Sequence, residues 1–107
     1  MSEAQPLKAT LRIPVICPNI HEPRTAEKAI EEHVIDMASL CRALLVDPDS
    51  PLKAKEGRFE DIDRCVFCYT CLKSVRSGIG VRCSQNPELG WERFIPKYFP
   101  TPTRHRQ

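Results

Sequence analysis

Apolar positions in the first half of the chain follow two rhythms in turn. "LRIPVIC" (Leu11–Cys17) is a short β-branched run that predicts a buried strand, with Pro14 as a position unable to donate to a ladder. "RTAEKAIEEH" (Arg24–His33) switches to helical spacing: Ala26, Ala29 and Ile30 share one face, and Pro23 suits a first turn. "VIDMASL" (Val34–Leu40) predicts a second strand. "CRALLVDPD" then begins a short helical turn that Pro48 ends. "SPLKAKEGR" (Ser50–Arg58) predicts a helix with Ser50 as N-cap, Pro51 in the first turn and Gly57 at the stop. Residues 1–10 are polar and unpatterned and predict a loop.

Two apolar strands joined by a helix make a βαβ unit with parallel strands. Such strands need cover on both faces, which two strands and two helices do not supply. The segment therefore reads as a small α/β domain or, more sharply, as a piece of a larger parallel sheet or barrel. From Asp61 the periodicity is lost. "SGIG" (Ser77–Gly80) is a flexible turn. The tail, rich in proline and aromatics, reads as an extended arm that packs Trp91, Phe94, Tyr98 and Phe99 on another surface, and "TPTRHRQ" as a disordered end. The expected division is residues 1–63, 64–93 and 94–107.

A length of 107 residues suits one ordinary domain, and a formal net charge of +2 gives no reason to expect nucleic acid or an acidic membrane surface as partner. No apolar run approaches the roughly eighteen residues of a membrane span. The start "MSEAQPLKAT" lacks the apolar core of a secretory signal, so a cytoplasmic setting is expected.

That setting changes the picture of the six cysteines. In a reducing compartment, close-spaced thiols bind metal more often than they pair, and a disulfide framework would staple distant parts rather than crowd into one third of the chain. "RCVFCYTCLK" places Cys65, Cys68 and Cys71 together, and Cys83 completes a C-x2-C-x2-C-x11-C spacing. A structural zinc site shows two paired C-x-x-C motifs. Three thiols in one tight loop with a fourth apart suit a cubane 4Fe–4S cluster instead. The bacterial ferredoxin pattern fails, because Val75 stands where its fourth cysteine belongs. Zinc and unligated thiols stay open on spacing alone. Cys17 and Cys41 read as small buried apolar residues, although each ends a predicted strand, where α/β proteins bind ligands. His21, His33 and His105 read as solvated, with only His21 on a strand-end loop.

"IDMASLCRALLVDPDSPLKAKEGRFEDIDRC" resembles the closing strand and helix of the old yellow enzyme-like flavin oxidoreductases, in the branch of 2,4-dienoyl-CoA reductase and related NADH:flavin oxidoreductases. The matching pieces are Cys41-Arg42 for a small residue followed by Arg, then "LLVDPD", "KAKEGR" and "EDIDRC". "IPVICPNIHEPRTAEKAI" resembles the seventh strand and following helix, and "CSQNPELGWE" the last cluster cysteine with its Asn-Pro. The resemblance covers residues 11 to about 93. It implies an α/β fold: the last two β/α units of a (β/α)8 TIM barrel carrying FMN, followed by an irregular cysteine-rich iron–sulfur segment. A whole barrel needs about 250 residues, so the chain is expected to be a C-terminal fragment or one part of a split barrel.

The resemblance implies a 4Fe–4S cluster on Cys65, Cys68, Cys71 and Cys83, and a partial FMN site at Asn19, Cys41 and Arg42. Two departures bear on this. The gap between the second and third cysteines is one residue shorter than the family's usual one. At the FMN phosphate, Pro18 cannot donate an amide, and Cys41 replaces Gly or Ala while keeping its amide beside Arg42. The implied function is a component of an NAD(P)H-dependent oxidoreductase reducing activated alkenes of enoyl or dienoyl type, with the cluster relaying electrons to FMN. NAD(P)H or FAD would act through a missing domain or partner, and the chain alone is not expected to be active. The expected partners are the remainder of the barrel or a partner subunit, an electron donor and a small-molecule substrate. The alternatives are a non-catalytic iron–sulfur electron-transfer module and a zinc-stabilised interaction domain.

Overall fold

A computed structural model describes residues 3–94. Tyr98, Phe99, His105 and the segment "TPTRHRQ" lie outside the described residues. The chain forms two compact units, Met1–Val66 and Phe67–Gln107.

The first unit is α/β. Its elements are α1 (Ala4–Thr10), β1 (Ile16–Cys17), α2 (Pro23–Glu31), β2 (Met37–Ala38), α3 (Arg42–Val46) and α4 (Ser50–Lys55), followed by a 3-10 turn at Phe59–Asp61. The two strands pair in parallel, Ile16 with Met37 and Cys17 with Ala38. Flanking bonds extend the ladder: Val15 O accepts from Asp36 N at 3.0 Å, and Cys17 O from Ser39 N at 2.9 Å. Helix α2 provides the crossover that parallel strands require. It starts with Pro23 at its N-terminus and buries Ala26 and Ala29. These pack with Ala4, Ile20 and Ile35, and with the half-buried Cys17, Val34 and Ala38.

Strand residues alternate between faces, and paired residues share one. Cys17 and Ala38 therefore meet the core. Ile16 and Met37 point to the opposite face and are 56% and 46% exposed. One side of this parallel sheet is covered within the unit and the other is not, the condition expected of strands taken from a larger sheet.

Three expectations need correction. Residues 1–10 contain helix α1 rather than a loop. Its sequence is too short to show a periodicity, and a tertiary contact holds it: Lys8 Nζ donates to Asp36 Oδ2 at 2.6 Å, and that oxygen also accepts from Val15 N at 2.7 Å. The strands expected over Leu11–Cys17 and Val34–Leu40 are confined to Ile16–Cys17 and Met37–Ala38; Leu11 and Ile13 are exposed, and the amides of Val34 and Ile35 close α2 on the Ala29 carbonyl. Pro14 has no amide to give a ladder at that point. In α4, Ser50 is the first helical residue and Asp49 holds the N-cap position without a side-chain capping bond.

The second unit holds α5 (Thr70–Arg76), a helix that the cysteine-rich sequence concealed. Ser74 is buried, donates to Cys71 O at 2.9 Å and accepts from Arg82 N at 3.1 Å. It thus ties α5 to the segment that leads to Cys83. Arg82 lies with its guanidinium 4.9 Å from the Trp91 ring centre. Gly90 has φ +81, and a Cβ there would come within 2.6 Å of Arg82 Nη1 and 3.0 Å of Val81 O, so both conformation and space call for glycine. Trp91 and Phe94 meet edge to face at 6.2 Å and stay about half exposed.

Candidate functional site

The carboxyl ends of β1 and β2 gather three polar side chains in the first unit. Asn19 follows β1 in the left-handed region, φ +63, a conformation Asn tolerates better than most residues. Arg42 opens α3 just after β2. Its Nη2 donates to Asn19 Oδ1 at 2.9 Å, and His21 Nε2 lies 2.9 Å from the same oxygen. Arg42 Nη2 and His21 Nε2 are 3.4 Å apart. Burial, and then the Arg42 charge, push the His21 pKa below its ordinary value. His21 therefore faces Arg42 as a neutral ring. Among the three histidines only His21 stands on a strand-end loop, two residues past Asn19, and that position brings it to the site.

Cys41 is exposed rather than buried. It holds the N-cap position of α3, and its carbonyl accepts from Leu44 N at 3.0 Å and Leu45 N at 3.2 Å. Cys17 is half-buried against the core, as a small apolar residue would be. The sequence-predicted trio thus divides. Asn19 and Arg42 are in direct contact, and Cys41 adjoins Arg42 along the backbone. The fixed charge of Arg42 suits a phosphate group, since a guanidinium is always protonated and its donors fork toward oxygen pairs.

All six cysteines are free thiols. Cys65 is half-buried in the first unit, two residues after Asp63, whose amide donates to Asp47 Oδ2 at 3.0 Å. Cys68, Cys71 and Cys83 belong to the second unit. There the backbone reverses sharply at both neighbours of Cys68: Phe67 has φ +55 and Tyr69 φ +58. Cys68 Sγ lies 3.0 Å from Ser84 Oγ and 3.3 Å from Thr70 Oγ1. The Ser84 hydrogen bond, then that of Thr70, lowers the Cys68 pKa to about 7. Gln85 N donates to Cys83 Sγ at 3.4 Å. Among the described residues, no group of three or more His, Cys, Asp or Glu side chains is gathered to hold a metal ion. The fit to a soft metal centre therefore lies in donor chemistry. Four cysteines at close sequence spacing are the donor type that soft metals take, and the Ser84 and Thr70 hydroxyls beside Cys68 favour its thiolate.

Fold and thiol set together describe a parallel α/β unit followed by a cysteine-rich unit, and the comparisons relate the chain to oxidoreductases. The chain is 36% identical over 106 residues to the NADH oxidase of Thermoanaerobacter brockii, a match covering 96% of this chain and 16% of that protein. It is 38% identical over 88 residues to the metal reductase of Desulforamulus reducens, covering 80% of this chain and 13% of the relative. The histamine dehydrogenase structure from Rhizobium sp. 4-9 superposes with a TM-score of 0.78 at 28% identity, over 83% of this chain and 13% of that one. No family model matches. The chain is thus related to a segment of the TIM-barrel oxidoreductases of the 2,4-dienoyl-CoA reductase type. It spans about one sixth or less of the length of these relatives.

Proposed function

We propose that this chain is the C-terminal part of a flavin and iron–sulfur oxidoreductase, and that it supplies one edge of an FMN site and the ligands of a 4Fe–4S cluster. The observation that carries this reading is the contact of Arg42 with Asn19 at the carboxyl ends of two parallel strands. Ligands of open and closed α/β sheets collect at that end, and a fixed positive charge there favours a phosphate. Arg42 would face the FMN phosphate, with Asn19 and the neutral His21 ring orienting the guanidinium. Cys41 would contribute its backbone at the same turn. Cys65, Cys68, Cys71 and Cys83 would ligate the cluster. When bound, the cluster supplies single-electron transfer and FMN supplies hydride transfer. The relationship to an NADH oxidase supports a nicotinamide as the electron source of the completed enzyme. An activated alkene is the substrate class, and the resemblance read from "CRALLVDPD" and its flanking motifs is what supports it.

Arg42→Ala, made in the protein completed by the rest of its barrel, is expected to weaken FMN binding by about 1.5–3 kcal/mol, the range for a hydrogen bond to a charged group. Riboflavin, which lacks the phosphate, is expected to bind the variant as well as the parent. Fluorescence-quenching titrations of both flavins decide between roles. Equal weakening of the two would make Arg42 a support of the fold and remove it from the phosphate site.

Anaerobically purified protein is expected to contain about four irons with matching sulfide. Serine at Cys65, Cys68, Cys71 or Cys83 should lower that content, and serine at Cys17 or Cys41 should not. Stoichiometric zinc without iron or sulfide would instead establish a zinc-stabilised interaction domain. A loaded cluster in a completed barrel that binds no flavin would establish an electron-transfer module.

A further inference from the structure

The cysteine unit directs hydroxyl groups at sulfur. Ser84 and Gln85 directly follow Cys83, so the segment that presents the distant thiol also brings Ser84 Oγ to 3.0 Å from Cys68 Sγ and Gln85 N to 3.4 Å from Cys83 Sγ. Thr70 Oγ1, at the start of α5, accepts from the Cys68 thiol at 3.3 Å; a metal-bound thiolate has no proton to give, and the same hydroxyl would then donate to the sulfur. Ser84 is exposed and fills no core space. Its hydroxyl contacts Cys68 Sγ and, at 3.5 Å, the side-chain amide of Gln85.

We propose that Ser84, seconded by Thr70, is a positioning residue that raises the reduction potential of the metal centre held by Cys68. The inference rests on the reading of the four cysteines as cluster ligands. A thiolate pushes electron density onto iron. An O–H group donating to that sulfur draws density back, and the bond strengthens as the centre becomes more negative. The reduced state gains more than the oxidised one, and the potential rises. Both hydroxyl protons stay on their oxygens in either state. The one electron taken up by the centre is therefore not accompanied by a proton from Ser84 or Thr70.

The test is a spectroscopic redox titration of the protein completed by the rest of its barrel, its centre loaded anaerobically with iron and sulfide. Ser84→Ala is expected to lower the midpoint. At the parent's midpoint the reduced-to-oxidised ratio should fall several-fold, up to about tenfold, which is about 59 mV for a one-electron couple. Ser84→Thr keeps the hydroxyl and should keep the parent's potential, a rescue that mere packing would not produce. Thr70→Val should shift the midpoint in the same direction, and it carries the test with the same outcomes if Ser84→Ala does not hold the centre. A loaded variant with the parent's midpoint overturns the role of Ser84 and leaves the cluster reading intact. A completed parent protein that takes up no iron and sulfide overturns the cluster reading, and this role with it.

Discussion

Asp47 shows how one residue of the "LLVDPD" stretch organises its neighbourhood. Its side chain is 5% exposed and accepts from Lys53 Nζ at 2.6 Å and from the amides of Asp49 and Asp63 at 3.1 and 3.0 Å. Lys53 Nζ also donates to the Asp61 carbonyl at 3.1 Å. Burial acts to raise the Asp47 pKa, but the Lys53 bond and then the Asp63 amide outweigh it, and the carboxyl titrates below its usual range. A depressed folded pKa makes the native state bind fewer protons than the unfolded one. The stabilisation is therefore complete above the ordinary carboxylate pKa of about 3.9 and is lost as pH falls through the folded value. Asp47→Ala leaves the half-buried Lys53 without its counter-charge and the Asp49 and Asp63 amides without their acceptor, and should cost about 1–3 kcal/mol. Denaturant unfolding of the completed protein measures the loss. Hydrogen exchange should show the Asp63 amide, two residues before Cys65, losing protection.

At the scale of elements, helix α4 separates two readings of one serine. As an N-cap, Ser50 would contribute about 1 kcal/mol, and Ser50→Ala would forfeit it. The structure instead places Ser50 inside the first turn at 1% exposure, and among the described residues its Oγ has no hydrogen-bond partner. A buried hydroxyl without a partner is itself unfavourable. Ser50→Ala is therefore expected to leave stability unchanged or raise it by up to about 1 kcal/mol. A drop of that size in the denaturation midpoint would restore the capping role. The helix stop is better expressed in sequence: Gly57 has φ +74, and Gly57 N and Arg58 N close the end on the Ala54 and Lys53 carbonyls.

For the whole chain, the bare sheet face sets the expectation. Ile16 and Met37 are register partners left open to solvent, with Ile13 nearby in sequence at 64% exposure. Covering a side chain of this kind is worth about 1.5–3 kcal/mol, and a parallel sheet with an open face and open edges is poorly stable by itself. Expressed alone, the chain should be oligomeric, molten or aggregated, and it should gain a cooperative transition when the rest of a barrel is supplied. Sedimentation analysis with amide exchange across 34–40 checks this. A monomer with slow exchange there would contradict the need for completion. No helix among the described residues is long and apolar enough to cross a membrane.

Local signals in the sequence determined much of this. Pro23 and the spacing of Ala26 and Ala29 specify α2, Gly57 ends α4, and the apolar runs Leu11–Cys17 and Val34–Leu40 mark two parallel strands, of which only Ile16–Cys17 and Met37–Ala38 form, because periodicity and backbone preference act within a few residues. The thiol spacing and Arg42 were equally legible, being matters of residue type and order. What only tertiary structure decided depends on partners distant in sequence. Helix α1 is held by an ion pair between Lys8 and Asp36, and α5 by Ser74 reaching Arg82 across a glycine turn. His21 becomes a neutral neighbour of Arg42 because two strand ends meet in space, 21 residues apart in the chain. Ser84 likewise reaches Cys68 across 16 residues. A hydrogen bond requires atoms within about 3 Å, and sequence order does not encode which distant segments come that close.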